Sequence, residues 1–351
     1  MIYVAVSGLY VGSESWTLLH LEAQTDKDFT VLFVDPEWDP AIPEKLDQWS
    51  SRTGVRVIRI PYRSAPGGRL LDWAQWNPPV LLAESENDFI LRLQSFRMIP
   101  SNLVAQLRAW DSNVSFAREI VDCSLDEAVA AAHEPRQPAG VGTGCSLNGA
   151  AGDWFLRVAD ILTLNGVDEP LTMLFHFEDV DMEYRYRTAM QKGIVSQVLR
   201  TSGLMKYASN KSRLLFNLPD VTTGKYDIKK NSFPPLCQYC GMQWPQLQES
   251  NNPAITLADM ANVETLEDLG IQYGKHWFIC RKCDAPISHY GCPHYTVNHY
   301  GDEHRATIGL DGKWGRNLRI ARDKALAHPD LADRVRYVTG SYEDRAVLVT
   351  G

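Results

Sequence analysis

Apolar and polar positions along the first hundred residues follow two different periods. Short runs of β-branched and aromatic residues predict strands at 2–7, 30–34 and 55–60. Between the first two runs, Trp16 and Leu19 belong to a segment with helical spacing. Because strands alternate with helices, the pattern predicts an α/β fold with a mainly parallel sheet flanked by helices.

The same reading extends the prediction toward residue 192. A fourth strand is predicted at 89–93, and Pro100 is followed by a segment with helical spacing. Further helices are predicted at about 150–163 and 179–192. The stretch 133–144 is rich in Pro and Gly, so it is predicted to be a loop, and a mobile one.

The alternation weakens near residue 220, where Pro, Lys and then Cys become prominent. We therefore place a domain boundary there. The last fifty residues contain a basic helical segment around 317–327 and a strand-like end at 346–350. The predicted parts are 1–220, 221–300 and a C-terminal extension at 301–351.

Composition places the chain among soluble globular proteins. Of its 351 residues, 44% are hydrophobic and 22% are charged, and the formal net charge of −8 argues against a basic coat for duplex DNA. The N-terminus does not resemble a signal peptide, and no apolar run is long enough to span a membrane, so we expect a cytoplasmic protein. Residues 200–230 are locally basic, which indicates either a solvated face or a phosphate-binding surface.

Carboxylates stand where strands end and a helix begins. Asp35 follows the second strand, and Glu178, Asp179 and Asp181 begin a predicted helix. Acidic residues in a first helical turn often only cap free amides. In open α/β sheets, however, ligands bind beyond the carboxyl ends of the strands, so these residues are also candidates for a site.

Two segments around these residues resemble the family 2 glycosyltransferases. Residues 19–35 contain Gln24-Thr25 near the end of the helix and Asp35 at the end of the second strand. Residues 165–169 read Asn-Gly-Val-Asp-Glu, and 177–182 read Phe-Glu-Asp-Val-Asp-Met. The resemblance covers about residues 1–200. It implies a glycosyltransferase-A fold and a nucleoside-diphosphate sugar as donor.

The resemblance also implies catalytic roles. Asp179 would be the general base that deprotonates an acceptor hydroxyl during an inverting displacement at the anomeric carbon. Glu178 and Asp181 would orient the acceptor or the loop.

The family normally ends its fourth strand with Asp-x-Asp, which holds a divalent metal on the donor diphosphate. This chain has Leu-Gln-Ser-Phe at 93–96, so a Mn²⁺ or Mg²⁺ ion there is in question. Arginines or the basic stretch could offset the charge of the leaving group instead. The residues predicted to contact the donor are Asp35, Arg92, Gln94, Arg97, Asp168 and Glu169.

Two Cys-x-x-Cys pairs predict a structural zinc site. They are Cys237 with Cys240 and Cys280 with Cys283, and four thiolates from two tight turns suit tetrahedral Zn²⁺. The spacing is typical of a zinc ribbon, which would form a small lobe at 221–300. His289, Cys292 and His294 could replace one of the four ligands or form a second site.

Two functions from different classes remain open at this stage. The first is a glycosyltransferase that moves a sugar from a nucleoside-diphosphate donor to an acceptor hydroxyl, with a modified DNA base as one candidate acceptor. The alternative is a catalytically degenerate glycosyltransferase-like protein that recognises nucleic acid or a protein partner through the zinc module.

Overall fold

A computed structural model describes the first two hundred residues with short gaps, a C-terminal helical pair and three short strands. The described segments are 1–7, 13–35, 40–61, 77–94, 96–117, 119–144, 153–167, 178–209, 263–265, 278–280, 286–287 and 318–346. No helix within these segments is long and apolar enough to cross a bilayer.

The strands in chain order are β1 (Ile2–Ser7), β2 (Thr30–Asp35), β3 (Arg56–Pro61), β4 (Phe89–Arg92), β5 (Arg97–Met98), β6 (Asn113–Phe116), β7 (Glu119–Val121), β8 (Gly140–Gly144), β9 (Trp154–Arg157), β10 (Val198–Ser202), β11 (Lys206–Ala208), β12 (Val263–Thr265), β13 (Phe278–Cys280) and β14 (Pro286–Ile287). The helices are α1 (Ser13–Glu22), α2 (Ile42–Thr53), α3 (Asn77–Leu82), α4 (Leu103–Trp110), α5 (Leu125–His133), α6 (Val158–Thr163), α7 (Glu178–Gln191), α8 (Leu318–Leu326) and α9 (Leu331–Ala346).

Eight strands form one sheet in the order β3-β2-β1-β4-β9-β6-β10-β8. The first four are mutually parallel, and β10 is parallel to β6. Only β9 and β8 pair antiparallel with their neighbours in this sheet. The prediction of a mixed α/β fold with a large, mostly parallel sheet is therefore confirmed.

Helices cover both faces of this sheet, and alternate residues of each strand enter different cores. In β1, Tyr3 and Ala5 belong to the core shared with α3, α6, α7, α8 and α9. Ile2, Val4 and Val6 belong to the opposite core, shared with α1, α2 and α4. Burial on both faces explains why the strands are apolar almost throughout.

Local signals in the sequence account for several helix ends. Pro43 lies in the first turn of α2, and Gly54 ends that helix in a left-handed conformation with φ of 72°. Helix α5 begins with a capping box, in which Ser124 and Glu127 exchange hydrogen bonds with each other's backbone N–H.

The C-terminal helices pack on the same core as the N-terminal sheet. Leu318 and Ala325 of α8 and Val338 of α9 are buried there against α3. At the rim, Arg334 pairs with Glu84 at 3.0 Å. The basic helix predicted at 317–327 is thus confirmed as α8, whereas 347–350 of the predicted strand-like end lies outside the described residues.

Two predictions of local structure are wrong. The helix expected from about 150 begins only at 158, because 154–157 is the central strand β9 between β4 and β6. The loop expected at 133–144 contains strand β8 at its end, which pairs with β10 through the backbone. Gly144 also leaves room for the side chain of Arg200 on β10, since a Cβ on Gly144 would lie 2.2 Å from Cδ of Arg200.

Candidate functional site

The parallel strands bring their carboxyl ends to one edge of the sheet. The chain proceeds from β1 through β2 to β3 on one side and then continues with β4 on the other side of β1. Such a reversal opens a crevice in which α/β proteins bind ligands. Asp35 ends β2 and Arg92 ends β4 at this edge, and Asp153 precedes the antiparallel β9 at the same edge.

Asp35 is a buried carboxylate held by a cation. Its side chain is almost entirely shielded from solvent, and Nε of Arg59 donates to its Oδ2 at 2.6 Å. Arg59 lies on the neighbouring strand β3 and is one-third exposed. The pair fixes the orientation of the one carboxylate that the sequence predicts at the end of β2.

Gln94 and Arg97, which follow β4, both contact Asp153. The N–H of Leu93 donates to the carbonyl of Ala5 at 3.0 Å, which extends the pairing with β1 by one residue. The N–H of Gln94 then donates to Oδ1 of Asp153 at 3.0 Å, and Nε of Arg97 donates to Oδ2. Arg97 also donates to Oε1 of Gln94. Both oxygens of Asp153 are therefore engaged at the position where the resemblance implies a metal.

Arg97 is held from other directions as well. Its guanidinium lies 3.9 Å from the ring centroid of Tyr207, a cation–π contact, and Nε1 of Trp16 donates to its carbonyl at 2.9 Å. Arg97 and Asp153 are both nearly buried. The predicted donor-contacting residues Gln94 and Arg97 are thus brought together, but they contact each other and Asp153.

Sequence reasoning missed Asp153. It stands alone before the apolar run Trp-Phe-Leu, and the helix predicted over this stretch hid its position at a strand end. Its partner Arg97 is 56 residues earlier in the chain. The only local signal is an acidic residue directly before an apolar strand.

A small cavity of about 10 Å³ adjoins this pair. It has room for about one water molecule, so it cannot hold a nucleotide or a sugar. It lies at the end of β6 and beside β11, and the residues that line it include Arg97, Phe116, Glu119, Asp153, Lys206 and Tyr207.

Helix α1 supports the segment after β4 through buried hydrogen bonds. The ring of His20 lies 5.1 Å from that of Trp16, and its Nδ1 is 3.2 Å from the carbonyl of Ile99. Burial lowers the pKa of His20 to about 4, so the ring is neutral at pH 7 and Nδ1–H donates to Ile99. Gln24, which belongs to the resemblance, donates to the carbonyl of Pro100 at 2.8 Å and accepts from the N–H of Val104 at 3.1 Å.

The Asn-Gly pair of the second resembling segment forms a tight turn after α6. Asn165 and Gly166 have φ values of 58° and 65°. The N–H of Gly166 returns to the carbonyl of Ile161 at 2.9 Å, which ends the helix. Oδ1 of Asn165 accepts from the N–H of Leu318 at 2.9 Å, so this turn also supports the start of α8.

Asn77 secures the next residue of the same segment. Its Nδ2 donates to the carbonyl of Val167 at 3.1 Å, and its Oδ1 accepts from the N–H of Val167 at 3.0 Å. The buried side chain thus pairs with a peptide much as a neighbouring strand would. Asp168 and Glu169 follow directly, outside the described residues.

Helix α7 begins at Glu178, which confirms the helix predicted at 179–192. Buried contacts of Met182 and Tyr186 fix it on the core, and Arg185 donates to the carbonyl of Leu164 at 2.5 Å. The side chains of the predicted catalytic residues Glu178, Asp179 and Asp181 lie outside the description.

The hydroxyl of Tyr186 locates the helix relative to the sheet. It donates to the carbonyl of Ser196 at 2.7 Å and accepts from Asn113, the first residue of β6. Burial, followed by the charge of Asp160, raises the pKa of Tyr186. The first residue of α7 precedes Tyr186 by eight positions, or about 12 Å along the helix axis.

The residues at the end of β4 do not fit a divalent cation. Mn²⁺ and Mg²⁺ need carboxylate and carbonyl oxygens that are open to them. Here the oxygens of Asp153 accept from Gln94 and Arg97, and Oε1 of Gln94 also accepts from Arg97. Across the described segments, no group of three or more His, Cys, Asp or Glu side chains is arranged to hold a metal ion.

Most of the predicted zinc site lies outside the description. Cys237, Cys240 and Cys283 belong to residues that the structure does not describe. Cys280 is the last residue of β13, which pairs antiparallel with β12 and β14. The second Cys-x-x-Cys pair therefore starts where a strand leads into the connection to β14.

Of the basic stretch, Arg200 lies on β10 and Lys206 on β11. Residues 210–230 lie outside the described part. Cys123, which belongs to neither Cys-x-x-Cys pair, is half-buried, and its Sγ lies 3.8 Å from Sδ of Met98.

Comparisons with known proteins find similar solved structures at low identity. One is S. aureus TarS 1-349 in complex with UDP, with a TM-score of 0.41 and 14% identity over 64% of this chain and 67% of that one. Another is the mannosyltransferase PcManGT from Pyrobaculum calidifontis in complex with GDP-Man and Mn²⁺, with a TM-score of 0.37 and 11% identity over 97% and 79% of the two chains. A third is glucosyl-3-phosphoglycerate synthase from Mycobacterium tuberculosis in complex with phosphoglyceric acid, with a TM-score of 0.33 and 11% identity over 62% and 78%.

No protein-family model matches the chain, and no curated protein matches it. The TM-scores and identities are low, so the function of this chain has to be argued from its own residues and strand order.

Proposed function

We propose that this chain is a glycosyltransferase of the glycosyltransferase-A fold, which moves a sugar from a nucleoside-diphosphate donor to an acceptor hydroxyl. The observation that favours this most is the arrangement of the two resembling segments on one sheet. The first ends in Asp35 at the carboxyl edge, beside the reversal between β1 and β4. The second spans the turn at 165–167 and the start of α7.

In this proposal Asp179 is the general base. An attacking hydroxyl must lose its proton as the new bond to the anomeric carbon forms, and a carboxylate within hydrogen-bond reach accepts it. Glu178 and Asp181 orient the acceptor or the loop. The nucleoside diphosphate leaves on the face opposite to the acceptor, so the anomeric configuration inverts.

The position of α7 supports this role. Tyr186 holds the helix near the start of β6, at the amino edge of the sheet. The first turn lies about 12 Å from that anchor along the helix axis, a length comparable to that of a four-residue strand such as β6. A helix that runs antiparallel to β10 would therefore bring its first turn to the carboxyl edge, where the crevice opens.

Asp35 contacts the nucleoside base in this proposal, and Asp168 and Glu169 complete the donor site. The pair between Asp35 and Arg59 supports it, because a carboxylate with a fixed orientation is a specific acceptor for the N–H groups of a base. Arg92, whose side chain is fully buried, ends β4 at the same edge of the sheet.

We also propose a structural zinc site at Cys237, Cys240, Cys280 and Cys283. The place of Cys280 at the end of β13, before the connection to β14, supports it, because Cys-x-x-Cys pairs of zinc ribbons lie on such connections. Zinc would supply folding free energy to a lobe with a small core. Metal analysis of purified protein should find one zinc per chain, and Cys280→Ser should lower that content.

The alternative is a degenerate transferase that binds nucleic acid or a protein partner through the zinc module. The Arg97–Asp153 pair, which occupies the position expected for a metal, is the observation that favours it. Binding to nucleic acid should weaken steeply with salt, and a flat salt response would contradict that form of the alternative.

A donor-library turnover assay on the full chain tests the proposal. We expect one class of nucleoside-diphosphate sugar to raise the melting temperature of the protein and to be hydrolysed slowly in the absence of acceptor. If no donor in the library stabilises the protein or turns over, with or without Mn²⁺, the transferase proposal is wrong and the binding alternative is favoured.

A further inference from the structure

We propose that the buried Arg97–Asp153 pair replaces the divalent cation at the end of β4, so that sugar transfer by this chain needs no Mn²⁺ or Mg²⁺ at that position. This inference rests on the proposed function. It assigns Asp153 and Arg97 as positioning residues. In this proposal neither contacts substrate, and together they close the metal site.

The oxygens of Asp153 are not available as metal ligands. Asp153 accepts from the N–H of Gln94 with one oxygen and from Nε of Arg97 with the other. A metal at this carboxylate would have to displace a guanidinium that is nearly buried with it. Separating a buried ion pair leaves an uncompensated charge in the interior, so a weakly held ion does not compete.

Arg97 is held in place by several contacts. Arg97 is clamped by Gln94, by the face of Tyr207 at 3.9 Å and, through its carbonyl, by Trp16 at 2.9 Å. A guanidinium held in this way cannot swing aside to admit an ion without losing several contacts at once. The position is therefore occupied by a permanent charge that belongs to the fold.

The local charge is balanced with or without a metal ion. An Asp-x-Asp pair with a divalent cation and an aspartate with an arginine are both near-neutral sets, so the local charge balance is kept without an ion. The rest of the leaving-group charge is then left to cations at the rim of the crevice, and Lys206 lines the space beside Arg97.

Two measurements test the proposal, and the first needs no turnover. Zinc-replete protein is titrated with Mn²⁺ while the electron paramagnetic resonance signal of free Mn²⁺ is recorded. We expect wild type to bind none at this position and Arg97→Gln, which frees Asp153, to bind one ion. Arg52→Gln is the matched control, because Arg52 makes a two-bond pair with Glu22 on the surface.

Wild-type binding of one Mn²⁺ that is lost in Asp153→Asn would overturn the proposal, and so would an Arg97→Gln protein that binds no more Mn²⁺ than wild type. Circular dichroism checks that each variant is folded. If Arg97→Gln does not fold, the wild-type titration still decides.

The second measurement compares turnover of wild type before and after gel filtration into metal-free buffer. We expect a change of less than about twofold, whereas an enzyme that uses a metal for leaving-group charge would lose at least about 100-fold. Loss of transfer that Mn²⁺ or Mg²⁺ restores would contradict the inference and leave the proposed function intact. Absence of transfer under every condition would contradict the proposed function, while the Mn²⁺ titration still decides the inference.

Discussion

The two sides of the candidate site differ in how closely they keep the pattern of the resembling family. On the side of β4, the expected Asp-x-Asp is replaced, and the local carboxylate Asp153 is neutralised by Arg97. On the side of α6 and α7, the Asn-Gly turn and the helix at Glu178 are kept, and Asn77 and Leu318 hold the turn in place. Under the proposed function, the α6 and α7 side serves the acceptor, and the β4 side offsets donor charge by a means other than a metal.

The largest expected effect on stability comes from breaking the pair on the β4 side. Asp153→Ala leaves Arg97 as a buried cation without its carboxylate, so the free energy of unfolding in urea should fall by about 3–5 kcal/mol. Glu22→Ala, which breaks the exposed pair with Arg52, should cost about 0–1 kcal/mol. Equal losses in the two variants would show that the buried pair is not a special feature of this side.

A second substitution tests the turn on the other side. Gly166→Ala must adopt φ of 65° and place a Cβ 2.2 Å from Oδ1 of Asn77 and 2.3 Å from Cδ1 of Leu318, so we expect a loss of about 3 kcal/mol. Gly54→Ala is the matched control. Its φ is 72°, but no atom lies within 4 Å of the added Cβ, so only the left-handed cost of about 1 kcal/mol remains.

If chemical denaturation gives the same value for both glycine variants, the turn at Gly166 is not packed against Asn77 and α8 as described. The contacts described as supporting the turn on the α6 and α7 side would then be wrong.

On the β4 side, His20 is expected to make the folding stability depend on pH. Burial lowers the pKa of His20 to about 4, below its ordinary value of 6.5. Between these values the unfolded chain binds a proton that the folded chain does not, so stability falls as the pH drops from 6.5 toward 4. From pH 7 to pH 5 the loss from this group is about 2 kcal/mol.

Urea denaturation of wild type and His20→Gln at several pH values measures this contribution. The variant should lose less stability than wild type over the same range. Parallel pH profiles for the two proteins would show that the pKa of His20 is the same in the folded and unfolded chains, which would contradict the effect of burial.

Much of the sheet could be predicted from the sequence, because buried parallel strands correspond to short runs of apolar residues. The runs at 2–7 and 30–34 gave β1 and nearly all of β2. Strand β8 was missed because its glycines offer no apolar pattern and pair through the backbone alone. Strand β9 was missed because its apolar residues run directly into those of α6.

The candidate site could be predicted only in part. The places of Asp35 at a strand end and of Glu178 at a helix start could be predicted, because both kinds of position are visible in the local sequence. The pairing of Arg97 with Asp153 could not, because it joins residues 56 positions apart whose proximity depends on β9 lying beside β4. Asn77 was missed for the same reason, since its partner Val167 is 90 positions away.

The central claim is that a carboxylate at the start of α7 deprotonates an acceptor, and single-turnover sugar transfer by Asp179→Asn tests it most directly. Asp126→Asn is the matched control, because Asp126 is an exposed acidic residue in the first turn of α5. We expect Asp179→Asn to keep donor binding and to lose about 10²- to 10⁴-fold in transfer rate, while the control keeps its rate. Transfer by Asp179→Asn at the wild-type rate would contradict the account.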